Sequence, residues 1–402
     1  MTRDTSDSFR YRYLIVGGGM TADAAVRGIR ELDADGPIGI IAAEDDLPYA
    51  RPPLSKALWK GEPLESIWRG TDHVPGVRLH LGRRAAQLDL AGRHVVDDHG
   101  DRYAYDKLLL ATGGTPRRLP FGGDDIIYFR TLADYRHLRA LAEPGRRVAV
   151  LGGGFIGSEV AAALALQGCQ VVLLFPEDGV GARVFPADLA RFLVDYYRER
   201  GVDAHPGQMV SAIHAQGAER EIVTAAGLRF TVDAVVAGLG IVPETTLAAA
   251  AGLTVNDGIV VDERLRSSHP DVWAAGDVAR FAPRGGAGRG LRVEHEDNAL
   301  AQGRAAGRAM AGDETPYTHV PFFYSDLFDL GYEAVGDLDA RAPQVADWKE
   351  PFREGVVYYL DGDRVKGVLL WNVWGQVDAA RELLAHSGPF TAESLRGRLP
   401  AP

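Results

Sequence analysis

The sequence predicts an α/β protein with two doubly wound parallel-sheet domains and a smaller C-terminal α+β domain. Three observations carry this. A short apolar run ending in three glycines occurs twice, as "YLIVGGG" from Tyr13 and "VAVLGGG" from Val148. Each is followed by a segment with helical apolar spacing and then by a second apolar run. After about residue 320 the pattern changes to β-branched and aromatic stretches with turn signals and no glycine cluster.

The first repeat opens with a buried strand, Tyr13 to Val16. Gly17, Gly18 and Gly19 form the turn, "TADAAVRGIREL" a helix, "IGIIAA" the next strand, and Glu44 follows. Gly17, Gly19 and Ala22 fill the G-x-G-x-x-G/A positions. Gly17 permits the tight turn, Gly19 lets backbone approach a pyrophosphate at the helix N-terminus, and Ala22 allows close packing. Glu44 stands where a carboxylate accepts hydrogen bonds from a ribose. The second repeat has the same grammar: Val148 to Leu151, then Gly152, Gly154 and Gly157, a helix, the strand "QVVLL", and Glu177. These are two Rossmann-like units, and they imply two dinucleotides or one used twice.

Between them, "YDKLLLATGGTPRRLP" ends a buried strand at Thr112 and Gly113, and "SSHPDVWAAGDVARF" ends another at Gly276 and Asp277. Both put small residues at the ligand edge of a doubly wound sheet. The chain therefore enters one domain, leaves for a second and returns. The expected division is a disordered tail over 1–10, a first domain over 11–120 and 243–320, a second over 121–242, and the α+β domain over 321–402. In the last, "GVVYYLDGDRVKGVLLWNV" reads as two strands with a turn at Asp361 to Asp363, and "VDAARELLAHSG" as a helix.

Composition narrows the function. An apolar fraction of 46% and a charged fraction of 25% are those of a soluble globular protein. No apolar run reaches the ~18 residues of a membrane span, and the polar N-terminus reads as neither a signal nor a transit sequence. The expected location is cytoplasmic. A net charge of −11 disfavours nucleic acid. The single cysteine, Cys169, forms no disulfide, CxxC pair or thiolate cluster. His73, His80, His94 and His99 cluster in sequence without an HxH or HExxH spacing, so no metal is expected.

The order of first fingerprint, "RPPLSK", "ATGG", second fingerprint and "AGD" resembles the flavoprotein ferredoxin reductases. The stretches "GGGMTADAAVRGI", "LPYARPPLSKALW", "LLFPEDGVGARVFP" and "RVEHEDNALAQGRAAG" are similar to apoptosis-inducing factor and its bacterial relatives. The likeness extends into "YSDLFDLGYEAVG" and "GVLLWNV". It implies a glutathione-reductase-like architecture that binds FAD and NADH, with NADPH less favoured. By this resemblance Gly17, Gly19 and Ala22 would hold the FAD pyrophosphate and Glu44 its ribose. Arg51 and Lys56 would face the flavin side, Ala85 the adenine, and Arg130 would lie by FAD near the domain crossing. Asp277 would bind the ribityl chain, with His295 by the ring. Phe155, Ile156 and Glu159 would line the nicotinamide pocket, Glu177 and Arg183 the adenosine end, and Gly240 and Glu294 would touch the nicotinamide nucleotide. Tyr324 stands where the family has a tryptophan, and Glu296 replaces the second residue of a His-His pair. The long insertion of the animal protein is missing.

The resemblance also gives the rigid loop "LPYARPPLSK" a purpose. A cation fixed beside a flavin favours its reduced form, and prolines supply the rigidity. A buried ammonium needs a counter-charge. The expectation is a Lys56–Glu159 pair bridging the two dinucleotide units, acting in direct hydride transfer from nicotinamide C4 to flavin N5. At ~4 Å and an effective dielectric near 20, Glu177 would oppose a 2′-phosphate by about 4 kcal/mol per unit charge. That favours NADH, with Arg183 able to offset it.

With no cysteine before Cys169, electrons leave the flavin directly for an external acceptor. The first reading is a reductase of a small carrier, ferredoxin or rubredoxin, as a monomer or homodimer. Arg83, Arg84, Arg117, Arg118, Arg284, Arg289 and Arg292 are candidates for docking an acidic carrier. The second is a redox-controlled protein whose charge-transfer complex with NADH alters dimerisation or partner binding. A membrane-surface quinone reductase is disfavoured, because "FTAESLRGRLPAP" is too polar for an anchor.

Overall fold

The computed structural model describes residues 8–282 and 290–400. Arg284 and Arg289 lie outside the described residues. The chain divides into two compact units. One contains the chain up to Arg51, Leu64–Thr115 and Val242–Pro321. The other contains Pro52–Pro63, Pro116–Ile241 and the chain from Phe322 on.

The first unit is built on one mixed sheet: β1 (Ser8–Val16), β2 (Ile38–Ile41), β3 (Val77–His80), β4 (Ala85–Asp89), β5 (His94–Asp97) and β6 (Arg102–Leu110), in the order β3-β2-β1-β6-β5-β4. β1 lies parallel to both β2 and β6, and Val272–Ala274 adds parallel to the end of β6. β1 extends back to Ser8, into the segment expected as a tail, because Ser8–Tyr11 pair with Arg102–Tyr105. The strand order reverses at β1, which puts its C-terminal end at a topological switch point. Helix α1 (Met20–Arg30) follows it, with Ala22, Ala25, Val26 and Ile29 at 0% exposure against the sheet core. Each large aliphatic chain buried there contributes ~1.5–3 kcal/mol.

The second unit repeats the plan. Its parallel sheet runs Val202–His205, Gln170–Leu174, Arg147–Leu151, Ala234–Ala237, Ile126–Tyr128. Helix α2 (Leu132–Leu141) opens with a reciprocal capping box between Thr131 and Asp134. Helix α3 (Phe155–Leu166) follows Arg147–Leu151, the strand at which the order reverses. A three-stranded antiparallel sheet spans Val210–Gln216, Glu219–Thr224 and Arg229–Val232. A five-stranded antiparallel sheet follows Phe322–Leu327, Leu330–Gly336, Arg364–Trp371, Glu354–Asp361, Gln344–Glu350 in space, with helix Val377–Ala385 against it.

Pro52–Pro63 is the unexpected member of this unit. Two 3-10 turns, Pro52–Ser55 and Ala57–Lys60, are closed by the Trp59 indole N–H on the Leu54 carbonyl at 2.7 Å. Gln167, just beyond α3, donates to the Trp59 carbonyl at 3.0 Å. Among the described residues no helix is long and apolar enough to cross a membrane.

Candidate functional site: two glycine cradles and a buried ion pair

In the first unit Gly17 has φ +116°, and a Cβ there would fall 2.1 Å from the Ala111 carbonyl oxygen. Only glycine fits both restrictions. Gly19 caps α1 with extended backbone, no side-chain cap and nothing within 4 Å of a Cβ built on it. The N–H groups of the first turn therefore open onto free space at the positive end of the helix, a ready site for a pyrophosphate. Thr112 Oγ1 donates to the Glu244 carbonyl at 2.6 Å, and the Glu244 N–H donates to the Gly113 carbonyl at 2.9 Å. Gly276, at φ +77°, would put a Cβ 2.3 Å from Thr21 Oγ1. Its N–H donates to Gln302 Oε1 at 2.9 Å, while the buried Gln302 Nε2 has no partner.

Glu44 accepts from the Tyr49 hydroxyl at 2.6 Å and from Arg51 Nη2 at 2.5 Å. Arg51 thus lies on the expected ribose carboxylate within the first unit, whereas Lys56 belongs to the second. The guanidinium is held above its ordinary value: burial opposes this, and Tyr49, Glu44 and Asp277 outweigh it. A carboxylate has about four acceptor sites, so Glu44 keeps capacity for ribose hydroxyls. Ala85 begins β4, opposite Asp97. His295 caps helix Glu296–Met310, and burial pushes its imidazole down to about 4 against the pull of Asp277 and Asp297. Glu294 is held by Arg292 at 2.5 Å.

The second unit builds the same cradle. Gly152 has φ +111° and would meet the Gly238 carbonyl oxygen at 2.5 Å; Gly157 would meet the Gly152 carbonyl oxygen at 1.9 Å. Gly154 caps α3 as Gly19 caps α1, without a side-chain cap and with nothing within 4 Å of its added Cβ. Phe155 packs on Phe323 at 5.3 Å between ring centroids, and Ile156 is 38% exposed. Glu177 Oε1 accepts two N–H bonds from Arg183, at 2.7 and 3.0 Å. Gly240, at φ +82°, accepts from the Arg117 N–H at 2.9 Å. Arg130 precedes α2, its N–H on Asp134 at 3.0 Å.

Lys56 Nζ lies 2.8 Å from Glu159 Oε1, with side-chain exposures of 11% and 2%. The pair is internal to the second unit rather than a bridge between units, because 52–63 packs on α3. Ser55 Oγ donates to Glu159 Oε2 and Ser325 Oγ to Oε1, each at 2.5 Å. The Lys56 ammonium also sits 5.2 Å from the centre of the Tyr324 ring. Burial, then the Glu159 charge, raises the Tyr197 and Tyr332 phenols well above their ordinary value.

Sequence reasoning had not singled out Ser55, Ser325, Tyr49 or Gln302. Ser55 and Ser325 sit inside the quoted "RPPLSK" and "YSD", but a hydroxyl carries no spacing that marks it. The basic candidates are partly spent: Arg83 pairs with Asp97 and Asp101 at 3.5 and 3.3 Å, and Arg118 lies over the Tyr128 ring at 4.7 Å. Cys169 is buried, its thiol raised by that burial and donating to the Glu143 carbonyl at 3.5 Å.

Two open glycine cradles at helix N-termini, each at a switch point, define a two-dinucleotide oxidoreductase fold. A family model described as pyridine nucleotide-disulphide oxidoreductase matches residues 11–303. One described as the C-terminal region of apoptosis-inducing factor, mitochondrion-associated, matches residues 306–351 and 344–386. Apoptosis-inducing factor 1, mitochondrial, of Dictyostelium discoideum is 32% identical over 421 residues, covering 94% of this chain and 79% of the relative. The 5,5'-dehydrodivanillate O-demethylase ferredoxin reductase subunit of Sphingobium sp. (strain NBRC 103272 / SYK-6) is 37% identical over 360 residues, 86% of each. The reductase in the covalent putidaredoxin reductase–putidaredoxin complex superposes with a TM-score of 0.88 at 30% identity, over 96% of this chain and 94% of that one. The chain belongs to the pyridine nucleotide-disulphide oxidoreductase family, with ferredoxin reductases and apoptosis-inducing factors as its relatives. It is an NAD(P)H-dependent flavoprotein reductase, and the matches support FAD and NAD(H) as its dinucleotides.

Proposed function

We propose that this chain is an NADH-dependent reductase of a small iron–sulfur carrier of the ferredoxin or rubredoxin type. The observation that carries the reading is a cradle built twice in a chain whose one cysteine is buried. A single thiol cannot cycle through an intramolecular disulfide, so the acceptor is external. The ferredoxin reductase relatives support an iron–sulfur acceptor. Bound FAD would take a hydride from reduced nicotinamide and release electrons to the carrier.

The residues serve binding, alignment and charge. Gly17, Gly19, Ala22 and the first turn of α1 hold the FAD pyrophosphate. Glu44 holds its ribose, with Arg51 and Tyr49 fixing the carboxylate. Ala85, Thr112, Gly113, Arg130, Gly276, Asp277 and His295 complete the FAD set. Gly152, Gly154, Gly157, Ile156 and the start of α3 hold the nicotinamide dinucleotide, with Gly240 and Glu294 at its nicotinamide half. Phe155 shields the ring until nicotinamide arrives, and Tyr324 steadies Lys56. Lys56, aligned by Glu159, supplies a fixed positive charge for the reduced ring. Glu177 favours NADH by opposing a 2′-phosphate. Its bond to Arg183 is a surface contact, that side chain being 84% exposed, and such pairs contribute ~0–1 kcal/mol. Arg183 is therefore free to turn toward a phosphate, and the preference is moderate. The proposed compartment is the cytoplasm. The proposed functional division is into three parts, an FAD, an NAD and a C-terminal domain.

Anaerobic stopped-flow mixing with NADH, then with a panel of carriers, tests this. Fast reduction and fast reoxidation by one iron–sulfur protein is the expected result. The match of the C-terminal region to apoptosis-inducing factor favours a second reading, a redox-controlled binding protein. A persistent long-wavelength charge-transfer band, slow reoxidation by every carrier and an NADH-dependent change in oligomeric size would select it.

A further inference from the structure

Helix Glu296–Met310 lies against α1 in backbone contact, glycine to carbonyl. A Cβ on Gly303 would fall 2.4 Å from the Thr21 carbonyl oxygen, and one on Gly307 2.1 Å from that of Ala25. Gln302, next to Gly303, therefore stands at the level of the first turn of α1, where the cradle opens. Gly276 meets the same turn from the sheet edge, against Thr21 Oγ1. Gln302 is at 0% exposure. Its amide has a defined orientation: the Gly276 N–H can only donate, so the atom 2.9 Å away is Oε1 and the NH2 points elsewhere. That NH2 has no acceptor among the described residues. A buried side-chain donor is nearly always paired, and an unpaired one costs stability that an apolar side chain of similar length would not. The first N–H groups of α1 likewise have no intrahelical acceptor. Backbone and side-chain donors thus gather at one turn, and the partner that suits them is an anion with several oxygens.

We infer that Gln302 is a further binding residue of the first cradle: its Nε2 donates to a pyrophosphate oxygen of FAD while its Oε1 holds the Gly276 N–H. One amide then ties the phosphate site to the turn that carries Asp277, the residue expected at the ribityl chain. Gln302 is the link because it alone reaches both, from a helix fixed against α1 by glycine contacts. The inference rests on the reading that this cradle holds FAD.

The test uses the full chain, stripped of flavin and reloaded with FAD, unmodified and as Gln302→Glu and Gln302→Met. Gln302→Glu keeps an oxygen for the Gly276 N–H and turns the donor into a second acceptor. Facing a phosphate oxygen, that replaces attraction by repulsion of like charges. Facing a buried water, it changes little, because the water turns to donate. FAD affinity is read from the quenching of flavin fluorescence. It should fall about tenfold in Gln302→Met and about a hundredfold in Gln302→Glu near pH 8. A buried carboxyl protonates more readily and can then donate, so the Gln302→Glu deficit should shrink toward about pH 6. The second readout is Tm with and without FAD. A ligand stabilises with the logarithm of its affinity, so each variant should lose more Tm when FAD-loaded than as apoprotein. Phosphorus NMR of bound FAD should show one of its two resonances displaced in Gln302→Met. Affinity within about twofold of the unmodified protein in both variants, or equal Tm losses with and without FAD, would overturn the inference and leave the amide to the fold alone. If Gln302→Glu does not fold, Gln302→Met decides. If the unmodified apoprotein takes up no FAD, the reading of the cradle itself fails, and the inference with it.

Discussion

Removing one member of the Lys56–Glu159 pair should cost far more stability than removing both. At 2.8 Å and an effective dielectric near 20, two unit charges attract by roughly 6 kcal/mol. Withdrawing each ion from water costs several kcal/mol, so the intact pair is worth little against an apolar replacement. A lone buried charge has no such offset, and breaking a buried pair costs about 3–5 kcal/mol. Lys56→Met should fall at the low end, about 3 kcal/mol, because Ser55 and Ser325 still donate to the carboxylate. Glu159→Gln should cost more, about 4 kcal/mol. It leaves an ammonium of 11% exposure with a neutral amide oxygen and the Tyr324 ring in place of a counter-charge, and it turns an amide NH2 toward a serine that needs an acceptor. The double variant should cost about 2 kcal/mol, which gives a coupling of about 5 kcal/mol in the cycle. Urea unfolding of the FAD-loaded protein, followed by tryptophan fluorescence and circular dichroism, measures all four corners. Trp59 and Trp371, both buried in the second unit, lie near the change. Additivity of the singles within ~0.5 kcal/mol would refute the argument, because it would mean that neither charge depends on the other.

Three further outcomes follow. Gly17→Ala should destabilise by at least ~2 kcal/mol, given φ +116° and a carbonyl at 2.1 Å. Gly19→Ala, with nothing within 4 Å, should leave the apoprotein Tm unchanged while flavin absorbance shows lost FAD; equal effects of the two would be inconsistent with an open pyrophosphate site. Glu177→Gln should raise kcat/KM for NADPH relative to NADH by ~10-fold, and Arg183→Ala should lower it; an unmodified enzyme that uses NADPH as well as NADH would contradict this. Burial pushes both His80 and His295 down to about 4. Both are neutral in the folded chain, while the unfolded chain takes up protons below pH 6.5. Their contribution is full above that pH and is lost as the pH falls toward 4. The loss, up to about 3 kcal/mol for the buried His295 and less for the half-buried His80 after solvent screening, is read from urea midpoints across the window. A flat profile there would count against both burials.

The glycine cradles were legible in the sequence because their constraint is local. A turn at φ +116° or +111° and a helix start without a side-chain cap require particular residues at fixed spacing. The strand "QVVLL" is observed as Gln170–Leu174, since a buried parallel strand is a plain apolar run. The start of β1 at Ser8 was not legible, because it depends on pairing with Arg102–Tyr105, far along the chain. The strands from Val210 to Val232 and Gln344–Glu350 also depend on antiparallel partners more than on their own pattern. At the site, Arg51 and Glu44 had each been assigned to a ligand. In the structure they hold each other, because two partly buried opposite charges seven residues apart find one another first.

The proline loop shows how a sequence question can be sound while its first answer is incomplete. Arg51 and Lys56 look like two cations presented by one rigid segment. Arg51 instead ends the first segment of the first unit, and Pro52 is the first residue of the second. The prolines therefore stand where the chain changes units, and each fixes φ near −65°. This restricts the backbone at the point where freedom would otherwise have to be lost on folding. Beyond it, the Trp59–Leu54 bond, Gln167 and the Ser55–Glu159 bond fasten the 3-10 turns to α3. Lys56 is thus held from its backbone by that packing and from its ammonium by Glu159. A flexible lysine would spend ~2 kcal/mol of side-chain entropy to reach one geometry. Here the surrounding fold has fixed much of that geometry already, which is what a preorganised charge requires.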